Sequence, residues 1–71
     1  MYALAHIRKF VADNQGRIGD QADAILSRAE EKSSKGMVSG DEIGEIFGDR
    51  GLVKDFQEAF QNDPAYRKIG E

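Results

Sequence analysis

The stretch KGMVSGDEIGEIFGDRG, Lys35 to Gly51, decides what kind of chain this is. Its apolar residues Ile43, Ile46 and Phe47 recur at helical spacing, and glycines sit at both edges. Ser39 and Glu42 make the pattern S-x-x-E, a capping box in which each side chain can satisfy a backbone N–H left over at a helix start. Val38 before the cap and Ile43 four positions into the helix are placed to pack as a hydrophobic staple. The pattern predicts a helix that begins at Ser39 and runs to about Phe47. Its inner edge is Ile43, Ile46 and Phe47, and its outer face carries Asp41, Glu42 and Glu45, with Asp49 just after.

Helical periodicity continues on both sides. In YALAHIRKFVAD, Ala3, Leu4, Ile7, Phe10 and Val11 line one stripe, with His6 on its flank, and DNQG (13–16) reads as the stop. A second helix is expected over 20–32, with Ala22, Ile25, Leu26 and Ala29 inward and Ile18 packing just upstream. Its acidic residues Asp20 and Asp23 come early and Arg28 and Lys32 late, which suits the helix dipole. KSSKG (32–36) reads as a polar loop, and Gly48 and Gly51 bracket a short turn. LVKDFQEAFQN (52–62) carries the broad stripe Leu52, Val53, Phe56, Ala59 and Phe60. Asp63 followed by Pro64 signals a last short helix bearing Tyr66 and Ile69. No segment alternates with the period of two that a strand requires. The expectation is one all-α domain over 1–71, a small bundle of four to five short helices.

Composition removes several functions. The 71 residues have room for one core, and a core of this size contributes about 3–5 kcal/mol without further support. There is no cysteine and one histidine, which excludes disulfides, thiolate chemistry and four-ligand zinc sites. Ten basic residues against 13 acidic give a net charge of −3, the wrong balance for affinity built on phosphate neutralisation. No apolar run is long enough for a membrane span and the N-terminus has no export signal, so a cytoplasmic location is expected.

Two motif families share residues with the opening stretch. Gly36, Val38, Ser39 and Glu42 stand where the exit half of an EF-hand calcium loop has its glycine, apolar residue, oxygen ligand and bidentate glutamate, so this quarter of the chain resembles that family. The entry half departs from it: Glu31, Ser33 and Lys35 would occupy the first three ligand positions, and an ammonium there repels a cation. EIGEIFGDRGLVKDF resembles a helix-turn-helix, with Gly44 at the helix crossing, Gly48 in the turn and a second helix offering Lys54, Gln57 and Gln61. Around that surface lie Asp41, Glu42, Glu45, Asp49, Asp55 and Glu58, against Arg50 and Lys54, which argues against nucleic acid. The capping box accounts for the same residues without a conflict.

Catalysis has little to stand on. His6 has no evident nucleophile beside it, adjacent carboxylates such as Glu30 and Glu31 diverge on a helix, and the glycines form no phosphate loop. No cofactor or metal is expected. The remaining signal is surface. Four Phe and two Tyr are many rings for so short a chain. The stripe of Phe56 and Phe60, with Tyr66 and Ile69, is the expected leftover patch for a partner helix or a second copy of the chain. Asp41, Glu42, Glu45 and Asp49 would favour a basic partner surface. The expected function is thus a small non-catalytic protein–protein interaction or regulatory module with an acidic surface. An acidic helix-turn-helix DNA-binding regulator and a degenerate EF-hand-like calcium-binding unit are the alternatives.

Overall fold

Five helical signals in the sequence become helices in the computed structural model, which describes residues 1–69. α1 (Leu4–Asp13) buries His6, Ile7, Phe10 and Val11. The helix stops at Asp13 with Asn14 as its C-cap, as DNQG signals, but a further turn, α2 (Gln15–Ile18), follows at once and carries Ile18 into the core at 5% exposure. The chain reverses at Gly19, whose φ of 57° is open to glycine, and winds through a 3-10 turn before α3 (Ala22–Lys32). Helix α3 therefore starts two residues later than its polar first turn suggests.

α4 (Gly40–Phe47) begins where the capping box places it, after Ser39. Glu42 Oε1 accepts from the Ser39 backbone N–H at 3.3 Å and from the Ser39 hydroxyl at 3.0 Å. The helix ends at Gly48 in the left-handed conformation, where the Gly48 N–H donates to the Gly44 carbonyl at 2.9 Å. Arg28 of α3 caps the same end, donating Nε–H to the Ile46 carbonyl at 2.9 Å.

α5 (Arg50–Asn62) starts two residues earlier than its apolar stripe. Asp49 is the reason: its Oδ1 accepts from Gly51 N–H at 2.7 Å and Leu52 N–H at 3.2 Å. A Cβ on Gly51 would stand 3.1 Å from that oxygen, so glycine makes room for the cap. α6 (Pro64–Lys68) follows Asp63, which accepts from Ala65 N–H at 2.9 Å, with Pro64 in the first helical position.

One element departs from the expectation of helices alone. β1 (Tyr2–Ala3) pairs antiparallel with β2 (Met37–Val38), Tyr2 opposite Val38 and Ala3 opposite Met37. Two residues per strand are too few to leave a period-two pattern. The pairing is set by a hairpin turn: Ser34 and Met37 exchange both backbone hydrogen bonds, at 2.8 and 3.0 Å, and Leu4 N–H reaches the Gly36 carbonyl at 2.9 Å. Lys35 and Gly36 both have positive φ, 56° and 78°, the type I′ arrangement. Lys35 is the strained member, because a long side chain is disfavoured there and Asn is not. Lys35→Asn is expected to stabilise the fold by roughly 0.5–1 kcal/mol, raising the thermal midpoint by about 3–8 °C. An unchanged midpoint in a calorimetric scan would remove this account.

The core gathers every helix of the bundle except its charged faces. Ile7, Ile25, Val38, Ile43, Ile46 and Phe56 are fully excluded from solvent, and Phe47, Phe10 and Tyr66 nearly so. Val38 and Ile43, the expected staple, both lie in that cluster. The small all-α bundle is therefore the fold, with one short β ladder tying its first residues to the loop before α4. Among the described residues, no helix is long and apolar enough to cross a membrane.

Candidate functional site

The four carboxylates expected to face a partner lie on and beside α4, and three of them are engaged within the chain. Glu42 closes the capping box and Asp49 caps α5. Glu45 binds Lys32 Nζ at 2.8 Å on the surface, which lowers the carboxyl below its usual range and raises the ammonium above its own. Asp41 is exposed and has no side-chain partner among the described residues. Little of the expected acidic docking face is thus uncommitted.

The expected aromatic patch is mostly core. Phe56 is fully buried and Tyr66 is 2% exposed, so neither offers a surface; Phe60 and Ile69 are half-buried. What covers the stripe is the first turn of the chain. The Tyr2 ring lies edge-on to Phe56 and Phe60, with centroids 4.9 and 4.8 Å away, and His6 lies 5.0 Å from Phe60. Phe10 and Phe47 complete the contacts of Phe56, at 5.5 and 5.3 Å. Among the described residues the freely exposed large hydrophobic side chain is Met1.

His6 is the residue whose role the sequence understated. Its Nδ1 accepts from the Ala3 backbone N–H at 3.0 Å, and its Nε2 lies 2.8 Å from the Tyr66 carbonyl. A backbone N–H can only donate and a carbonyl can only accept, so the ring is neutral with its proton on Nε2. It performs the office of glutamate in a capping box, three residues into α1, while tying α6 to the start of the chain. The signal was its spacing from Ala3. Both ring nitrogens are thus engaged with backbone groups of the chain.

Two open grooves, each of about 490 Å³, flank α5. The first lies between α1, α5 and α6. Its floor includes Phe10, Ala59 and Tyr66, and its rim carries Asp13, Asp55, Glu58 and Asp63. Asp13 pairs with Lys9 at 3.0 Å, and the same ammonium stands over the Tyr66 ring, 5.4 Å from its centroid. Asp55 pairs with Arg17 and Asp63 caps α6, while Glu58 has no side-chain partner among the described residues. Burial foremost, then Asp13 and Asp63, pushes the Tyr66 phenol up to about 12.

The phenol ionises near 10 when unfolded, so the unfolded chain loses that proton first as pH rises. Stability is full below about pH 10 and falls toward pH 12. Urea melts at intervals from pH 8 to pH 12 are expected to show this fall, and Tyr66→Phe is expected to flatten it. Equal slopes in the two proteins would count against the assignment.

The second groove lies between α4 and α5, walled by Gly44 and Gly48 and edged by Asp49, Arg50, Val53, Lys54 and Gln57. Neither groove gathers a metal-binding set: among the described residues, no three His, Asp or Glu side chains converge as ligands. Of the EF-hand-like positions, Glu31 sits in α3, Lys35 in the hairpin turn, and Glu42 is spent on its cap. No family model matches the chain, and no curated protein or solved structure is significantly similar to it.

Proposed function

We propose that the protein is a non-catalytic interaction or regulatory module of the cytoplasm that receives a basic segment of a protein partner in the groove between α1, α5 and α6. The observation that carries this reading is the set of carboxylates Asp13, Asp55, Glu58 and Asp63 around one open groove. Lys9 supports it as an internal example, an ammonium held by Asp13 above Tyr66. An incoming lysine or arginine would find the Glu58 carboxylate, which has no side-chain partner among the described residues, on the same rim. Exposed ion pairs contribute about 0.2–1 kcal/mol each, so the acidic rim would set orientation, association rate and salt dependence more than final affinity.

The test is a titration of isotope-labelled protein with a Lys/Arg-rich amphipathic helical peptide at low and at physiological salt. Amide shifts are expected to cluster at Asp13, Asp55, Glu58 and Asp63, to shrink with salt, and to weaken about tenfold in Glu58→Lys. Shifts scattered over the surface, or indifferent to Glu58→Lys, would overturn the proposal.

The α4–α5 pair favours one second reading, a DNA-binding helix-turn-helix. Arg50, Lys54 and Gln57 share one edge of α5, as a recognition helix would require. Retardation of duplex DNA at low salt, lost in Lys54→Glu, would select this alternative.

A further inference from the structure

Gly44 stands exposed in the middle of α4, and a Cβ built there meets nothing within 4 Å. Glycine inside a helix is disfavoured relative to alanine, and no contact within the chain requires it at this position. Gly48 and Gly51 differ, since the first has positive φ and the second lies against the Asp49 cap. Gly44 and Gly48 wall an open groove of about 490 Å³ whose other side is α5, with half-buried Val53, the cations Arg50 and Lys54, and Asp49, whose carboxylate is engaged in the α5 cap. Asp41 lies one turn before Gly44 on α4. Asp41, Arg50 and Lys54 have no side-chain partner among the described residues.

We propose that this groove is filled by α4 of a second copy of the chain, in a twofold contact where the two helices cross antiparallel at Gly44. An antiparallel crossing brings the first turn of each α4, bearing Asp41, to the last turn of its mate. Arg50 opens α5 just beyond that last turn. The twofold axis then forms the Asp41–Arg50 pair twice, and the glycine lets the two backbones approach closely. One patch carries both signs of charge around a glycine centre, which is the self-complementarity an isologous interface needs. A purely acidic partner helix would suit Arg50 and Lys54 but would be repelled by Asp41.

Sedimentation equilibrium of the full chain tests the proposal, with circular dichroism to confirm folding of each variant. The wild type is expected to dimerise reversibly below about 1 mM, a weak association typical of a small interface. Gly44→Ala is expected to raise the thermal midpoint of the monomer by about 4–8 °C while weakening the dimer about tenfold or more. Asp41→Arg and Arg50→Asp are each expected to weaken it similarly, and the doubly reversed chain to recover most of the loss. A wild type that stays monomeric, a dimer indifferent to Gly44→Ala, or a double reversal no tighter than the single ones would overturn the proposal. The basic-peptide titration reports on a groove that shares no lining residue with this one, so the two proposals can fail separately.

Discussion

Replacing Phe56 by alanine is expected to leave the chain largely unfolded at 25 °C. The ring is fully excluded from solvent and lies within 5.5 Å, centroid to centroid, of Tyr2, Phe10 and Phe47. Deleting a buried Phe side chain costs about 3–5 kcal/mol, and each aromatic pair adds roughly 0.5–1.5 kcal/mol beyond area. A single domain of this length has a total stability of about 4–11 kcal/mol, and the lower half of that range would be exhausted. Phe56→Leu keeps most of the volume and is expected to fold with a loss of about 1–2 kcal/mol. Urea melts followed by circular dichroism separate the cases. A cooperative Phe56→Ala transition within about 1 kcal/mol of the wild type would show that Phe56 is not the centre of the core.

The second large effect is expected at His6. His6→Leu fills similar space but strips acceptor from the Ala3 N–H and donor from the Tyr66 carbonyl. The Ala3 N–H is orphaned at a cost of about 1–3 kcal/mol, while the Tyr66 carbonyl keeps the Ile69 N–H at 3.3 Å and loses one bond worth about 0.5–1.5 kcal/mol, so a combined loss of about 2–4 kcal/mol is expected. His6→Gln can still reach back to Ala3 as a capping-box residue while abandoning Tyr66, and should fall between the two. The order wild type, Gln, Leu in unfolding free energy is the expected result. A leucine variant as stable as the wild type would mean that water replaces both bonds at no cost.

The helices were legible where local chemistry sets them. Ser39 with Glu42 placed the start of α4, and Asp63 with Pro64 placed the start of α6, because a cap acts over three residues. The misplaced boundaries have equally local causes that compete with periodicity. Asp49 draws Arg50 and Gly51 into α5 ahead of its first apolar residue, and Ile18 pulls the expected loop into an added helical turn. The β ladder was not legible, since it depends on Tyr2 and Val38 meeting across 35 residues of intervening chain.

The site was less readable than the fold, for a physical reason. Amphipathic spacing shows which face of α5 is apolar but not what covers it, and Tyr2 and His6 arrive there from the far end of the sequence. In the same way, Asp41, Glu42, Glu45 and Asp49 look alike as letters, yet capping and Lys32 engage three of them. The ring of Asp13, Asp55, Glu58 and Asp63 comes from α1, α5 and the cap of α6, and no short window of sequence contains it.

The Nε2 bond from His6 to Tyr66 also sets a hierarchy of opening. α6 is five residues long and buries one side chain, Tyr66; beyond that ring its attachments include the Asp63 cap, that imidazole, the Lys9 ammonium over Tyr66 and a bond from Arg67 to the Gln61 carbonyl at 3.1 Å. An element with so few anchors detaches as a unit before the rest of the core gives way. Its departure would remove the ring stacked beside His6 and dismantle one wall of the acidic groove while the α1, α3, α4 and α5 packing persisted. Native-state hydrogen exchange would then show the amides of Tyr66 and Ile69 exchanging together, by an opening far cheaper than global unfolding. The acidic groove would therefore exist only in the fully closed population, and its occupancy by a partner would be read as protection of the last helix.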